Sequence, residues 1–109
     1  MNTYRETYPV PYFHAGVLGQ AIQNARTLFE QHTGITIQIR NPTHFNPEPV
    51  PILDAFSSTL FQVADEPLDS LEVIVSGGFP QTVLKEAADT VSRAFSVPSV
   101  GRLLREKAK

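Results

Sequence analysis

From Ala15 to about His32 the apolar residues Val17, Leu18, Ala21, Ile22, Ala25, Leu28 and Phe29 recur at intervals of three and four. That spacing places them on one face of a helix. Gly34 follows as a stop, free to take the left-handed conformation that ends many helices. Ile35, Ile37 and Ile39 then alternate with Thr36, Gln38 and Arg40, the period of a strand with one buried face. Leu71, Val73 and Val75 alternate in the same way with Glu72, Ile74 and Ser76, predicting a second strand that closes at Gly77-Gly78. Pro80 suits the first turn of a further helix, whose face is Val83, Leu84, Ala87, Ala88, Val91, Ala94 and Phe95. This helix should end near Ser96, ahead of Pro98.

Tyr8-Pro9-Val10-Pro11-Tyr12-Phe13 combines strand-forming residues with two prolines that cannot donate to a ladder. Both missing donors fall on the same side, so the segment reads as a strand only at a sheet edge. Asn41 to Pro51 reads as a loop, with a further strand possible after it. Asp54 caps a short helix running to Gln62, with Ala55, Phe56, Leu60 and Phe61 as its apolar residues. The resulting order, βαββαβα, predicts an α+β domain with an antiparallel sheet and helices on one face. A ferredoxin-like arrangement would put the first strand in the sheet interior, which the prolines disfavour.

Composition narrows the picture. A chain of 109 residues, 41% of them hydrophobic, can build one core and not two. Nine prolines gather near 9–11, 42–51, 67, 80 and 98, as punctuation between short elements. A net charge of -2 removes the attraction that nucleic acid or an anionic membrane would exert, so neither is an expected partner. With no cysteine, disulfides and thiolate metal sites are excluded, and a reduced compartment fits. The start of the chain lacks a basic segment followed by an apolar run, and no stretch approaches the ~20 apolar residues of a membrane span. The expectation is a cytoplasmic protein without membrane insertion.

His14 stands where the pattern changes from strand to helix. The first N–H groups of a helix lack internal partners, and the macrodipole adds partial positive charge, so an anion beside His14 could be held without a basic side chain. A phosphoryl group on an imidazole nitrogen would be such an anion, and neutral imidazole is a nucleophile near neutral pH. The alternative is that His14 simply caps the helix.

Beyond this local reading, the chain from about Glu6 to Phe95 resembles HPr, the histidine phosphocarrier of the bacterial sugar phosphotransferase system. That family carries Gly-Ile-His-Ala-Arg-Pro at the strand-to-helix junction, where this chain reads Tyr12-Phe13-His14-Ala15-Gly16-Val17. Ile52 to Ser57 falls on the segment around the family's regulatory serine, Leu71 to Ser76 on its last strand, and Gln81 to Phe95 on its final helix. The resemblance implies an HPr-like open-faced sandwich, a four-stranded antiparallel sheet with helices on one face, over residues 1–98. Residues 99–109 then form a basic extension. It also implies that His14 accepts a phosphoryl group from the phosphoenolpyruvate-dependent enzyme of the system and passes it to a sugar-specific component. The backbone of Ala15 and Gly16 would bind the phosphoryl oxygens. Such a protein is a relay rather than an enzyme converting a free substrate, it needs no metal or organic cofactor, and its partners are phosphotransferase-system proteins.

Three departures define the competing reading. Gly16 replaces the family arginine and removes a charge-assisted hydrogen bond of ~1.5–3 kcal/mol; Arg5 or Arg40 could in principle stand in. Val17 replaces the proline that pre-sets the first turn. Asp54 replaces the regulatory serine, either as an ordinary N-cap or as a permanent negative charge resembling the phosphorylated side chain. A protein of the same fold that binds or regulates without transferring is therefore the alternative, and a ferredoxin-like binding module with an incidental His14 is a third. Ser57, Ser58 and Thr59 should bond locally or face solvent. His32 at the first helix end and His44 in the Asn41–Pro51 loop are weaker candidates, and Gly77-Gly78 reads as a turn. The tail after Pro98 reads as a solvated end or a partner-docking segment.

Overall fold

The structure, a computed structural model, describes residues 1–43, 48–58 and 69–97. Its elements in chain order are β1 (Asn2–Pro9), α1 (Ala15–Gln31), β2 (Thr36–Arg40), β3 (Val50–Pro51), a 3₁₀ segment (Ile52–Ser57), β4 (Ser70–Gly77), α2 (Gln81–Ser92) and a closing 3₁₀ turn (Arg93–Ser96). The strands form one antiparallel sheet in the order β1-β4-β2-β3. The chain is thus α+β, with a four-stranded antiparallel open sheet and helices.

Period two fixes which strand residues face the helices. Ile37 and Ile39 of β2 and Leu71, Val73 and Val75 of β4 enter one buried cluster with Val17, Leu18, Ala21, Ile22, Ala25 and Leu28 of α1 and Leu84, Ala87, Ala88 and Val91 of α2. Both helices therefore cover the same sheet face. Burial of each Leu, Ile or Val in such a layer contributes about 1.5–3 kcal/mol, which holds helices whose intrinsic propensity alone would not. Small residues at 21, 25, 87 and 88 let the two helices approach the sheet and each other.

β1 lies at the sheet edge, so the ferredoxin-like order is excluded. Its position along the chain corrects the sequence reading. The strand runs over 2–9 rather than 8–13, pairing Asn2 with Gly77 and Pro9 with Ser70. Its half-buried face is Tyr4, Glu6 and Tyr8, a pattern that apolar periodicity does not detect. Val10 follows the strand fully buried, its N–H donating to the Asp69 carbonyl at 3.0 Å.

Three further expectations need correction. Pro80 is the N-cap of α2 and not part of its first turn; its carbonyl accepts from Val83 and Leu84. The α2 face continues to Phe95 through the 3₁₀ turn rather than as one helix. The expected helix from Asp54 is a 3₁₀ segment that starts two residues earlier, behind Pro51. Leu60, Phe61, Thr59, His44 and the tail beyond Val97 lie outside the described residues. Gly34 has φ +90°, the left-handed conformation expected after α1. No described helix is long and apolar enough to cross a membrane.

Candidate functional site

His14 is the N-cap of α1. Its backbone is extended, at φ −162° and ψ 174°, its carbonyl accepts from Leu18 N–H at 3.2 Å, and its side chain Nδ1 accepts from Gly16 N–H at 3.0 Å. Histidine thus takes the part usually played by Ser, Asp or Asn, satisfying one of the amides that a helix start leaves unpaired. The geometry also fixes the ring chemistry. A nitrogen that accepts carries a lone pair, so the proton of the neutral ring sits on Nε2. Nε2 is turned inward, buried, with no hydrogen-bond partner among the described residues.

The helix supplies a favourable field for an anion. α1 has 17 residues and no acidic residue in its first turn, so nothing on the helix opposes the positive end of its macrodipole. Gly16 is more than a missing arginine. A Cβ built there would lie 2.8 Å from His14 Cε1, closer than real Cβ contacts come, and a tight 3.0 Å from Nδ1. The imidazole occupies the space that a side chain at 16 would claim.

The structure does not bring Arg5 or Arg40 to this site. Both reach Glu72 Oε1, at 2.9 and 3.0 Å, on the sheet face away from the helices. Asp54 is also elsewhere. It caps nothing: Pro51 is the N-cap of the 3₁₀ segment and makes no side-chain capping bond, and Asp54 is exposed in its first turn. It lines an open groove of about 240 Å³ with Phe29, Ile35, Ile37, Ile52 and Leu53, near the C-terminal end of α1. The same 3₁₀ segment also reaches back along α1, its Phe56 ring lying 3.4 Å from where a Cβ on Gly19 would stand. Ser57 bonds locally as expected, its hydroxyl donating to the Asp54 carbonyl at 2.9 Å. His32 caps the far end of α1 through its backbone N–H to Leu28, and its ring meets Phe79 edge-on at 5.4 Å.

Two polar features escaped the sequence reading. Asn41, 3% exposed, accepts at Oδ1 from Thr43 N–H at 3.1 Å and Thr43 hydroxyl at 2.8 Å, a side-chain turn that ends β2. On the other edge, Glu6 Oε2 accepts from Tyr4 and Tyr8, and Tyr8 also reaches Asp89 on α2, which Lys85 pairs at 3.1 Å. The alternation Tyr4, Glu6, Tyr8 was the available signal, a polar inward face on an edge strand. Among the described residues no group of three or more His, Asp or Glu side chains is placed to hold a metal ion. No family model, curated protein or solved structure matches the chain.

Proposed function

We propose that the protein is a phosphohistidine carrier of the HPr type, relaying a phosphoryl group through Nδ1 of His14. The observation that carries this reading is the Nδ1 lone pair held at the N-terminus of α1, 3.0 Å from Gly16 N, with the ring proton assigned to Nε2. A phosphoryl group placed on Nδ1 would meet the amides of Ala15 and Gly16 and the positive end of the helix, without needing a cation from the chain. In the transfer the Nδ1 lone pair attacks phosphorus. An N–P bond forms, the bond from phosphorus to the donor's leaving atom breaks with its electron pair, and Nε2 keeps its proton. The edge position of β1 and the order β1-β4-β2-β3 support the same reading at the level of architecture. The expected partners are the proteins of the sugar phosphotransferase system, in the cytoplasm.

One observation favours a second reading, a protein of the same fold that binds or regulates without transfer. The Gly16 N–H that a phosphoryl oxygen would need is already taken by Nδ1, and both arginines considered as substitutes are committed to Glu72. Phosphoryl transfer from phosphoenolpyruvate through the purified general phosphotransferase enzyme separates the two. The intact mass of the wild-type protein, measured in alkali that preserves phosphohistidine, should rise by one phosphoryl group, and that of His14→Ala should not. No gain by the wild type beside an HPr control that labels normally would transfer the assignment to the binding protein.

A further inference from the structure

We propose that Gly16 is a positioning residue for His14: by leaving its side-chain space empty it seats the imidazole on the helix start as a latched nucleophile, which reacts only on releasing the Gly16 N–H. The inference rests on the reading of His14 as the phosphoryl acceptor, and adds how that acceptor is controlled. Two facts lead to it. Nδ1 cannot both accept the Gly16 N–H and offer the same lone pair to an electrophile. The seat exists only because residue 16 has no Cβ, since any Cβ would stand 2.8 Å from the ring.

The backbone at 16 does not itself require glycine. Gly34 is the only described glycine with positive φ, so Gly16 has a conformation that alanine or valine adopts freely. The contact a Cβ would violate is with the end of the His14 side chain, which can rotate away. A larger residue at 16 therefore unseats the ring and leaves the fold intact. Release has a reciprocal benefit for transfer: once Nδ1 departs, the Gly16 N–H is free to receive a phosphoryl oxygen.

The test follows the His14 ring by ¹⁵N NMR and by its acylation with diethyl pyrocarbonate, using His32 in the same chain as internal reference, in wild type, Gly16→Ala and Gly16→Val. The wild type should show a single tautomer with the proton on Nε2. The variants should lose that signature, and His14 should acylate roughly fivefold faster, the factor to which one ordinary hydrogen bond converts, with valine at least as large as alanine. A wild-type ring protonated on Nδ1, or a His14 rate unmoved relative to His32 in both variants, would overturn the proposal. Phosphoryl labelling of the same three proteins isolates the underlying reading. Ring release without labelling of any of them keeps the seat and rejects the carrier, whereas equal labelling of all three with an unmoved ring keeps the carrier and rejects the seat.

Discussion

The Tyr8 hydroxyl lies 2.8 Å from Asp89 Oδ1 and 3.1 Å from Glu6 Oε2, so one phenolic proton stands between a carboxylate of the edge strand and a carboxylate of the last helix. The Tyr8 ring meets Phe95 edge-on at 6.3 Å, which anchors the apolar end of the same side chain in the core. Tyr8→Phe keeps the ring contact and deletes only the hydroxyl. The expected loss is about 1–2 kcal/mol, as for a hydrogen bond to a charged acceptor at a half-buried position, read from the midpoint of urea unfolding at neutral pH. A midpoint equal to the wild type would show that water replaces the bond without loss.

The same cluster sets the pH range of stability. For Asp89, desolvation pushes the carboxyl up but is outweighed by the hydrogen bonds from Tyr8 and Lys85, which hold it below its ordinary value of 3.8. For Glu72, desolvation is likewise outweighed by Arg5 and Arg40, leaving it below 4.5. Groups lowered in the folded state contribute stability above these ordinary values, and that stability is lost as pH falls through the folded ones. Tyr8 is shifted the other way, raised above 10.0 by burial and then by its bonds to Asp89 and Glu6. Its contribution is complete below pH 10 and lost as pH rises beyond it. The contribution of these three groups should therefore be level between about pH 5 and 9 and fall on both sides. Tyr8→Phe should weaken the alkaline fall, and an unchanged alkaline limb would remove Tyr8 as its source.

The elements were legible where one face of a segment is apolar and its ends are marked. α1 was readable to within one residue at both ends because His14 and Gly34 bracket an uninterrupted helical face, and β2 and β4 because branched aliphatic residues alternate along them at Ile37, Ile39, Leu71, Val73 and Val75. β1 was misplaced for the converse reason. Its inward residues are Tyr4, Glu6 and Tyr8, and Tyr8 reaches Asp89, 81 residues away on α2, a partner no local pattern contains. At the candidate site the identity and capping position of His14 were readable, whereas the seating of its ring over Gly16 depends on a rotamer. The arginines were readable as cations, but their capture by Glu72 follows from the register of β1 and β2 on β4.

Capping and chemistry at His14 are separable by substitution. Asparagine is a strong N-cap that can accept from Gly16 N–H as the imidazole does, while alanine cannot. His14→Asn should stay within a few tenths of a kcal/mol of the wild type, and His14→Ala should lose about 1 kcal/mol in urea unfolding. Neither should accept a phosphoryl group. Equal stability of the two variants would show that the Nδ1 bond contributes nothing to the helix.

The 3₁₀ segment offers the sharpest contrast between neighbouring residues. Ile52 is fully buried at the start of the segment, whereas Asp54 is exposed and caps nothing. Ile52→Ala removes buried methyl and methylene groups between α1 and β2 and should cost about 2–5 kcal/mol, the spread reflecting how far the surrounding side chains collapse into the space. Asp54→Ala deletes a solvated carboxylate and should change stability by no more than ~0.5 kcal/mol. Asp54 is solvent-exposed, so in moderate salt its charge should be screened and the same substitution should leave the acylation rate of His14 unchanged. A loss near 1 kcal/mol in Asp54→Ala would restore it as a capping residue. A change in His14 reactivity would instead show that its charge is felt at the helix start.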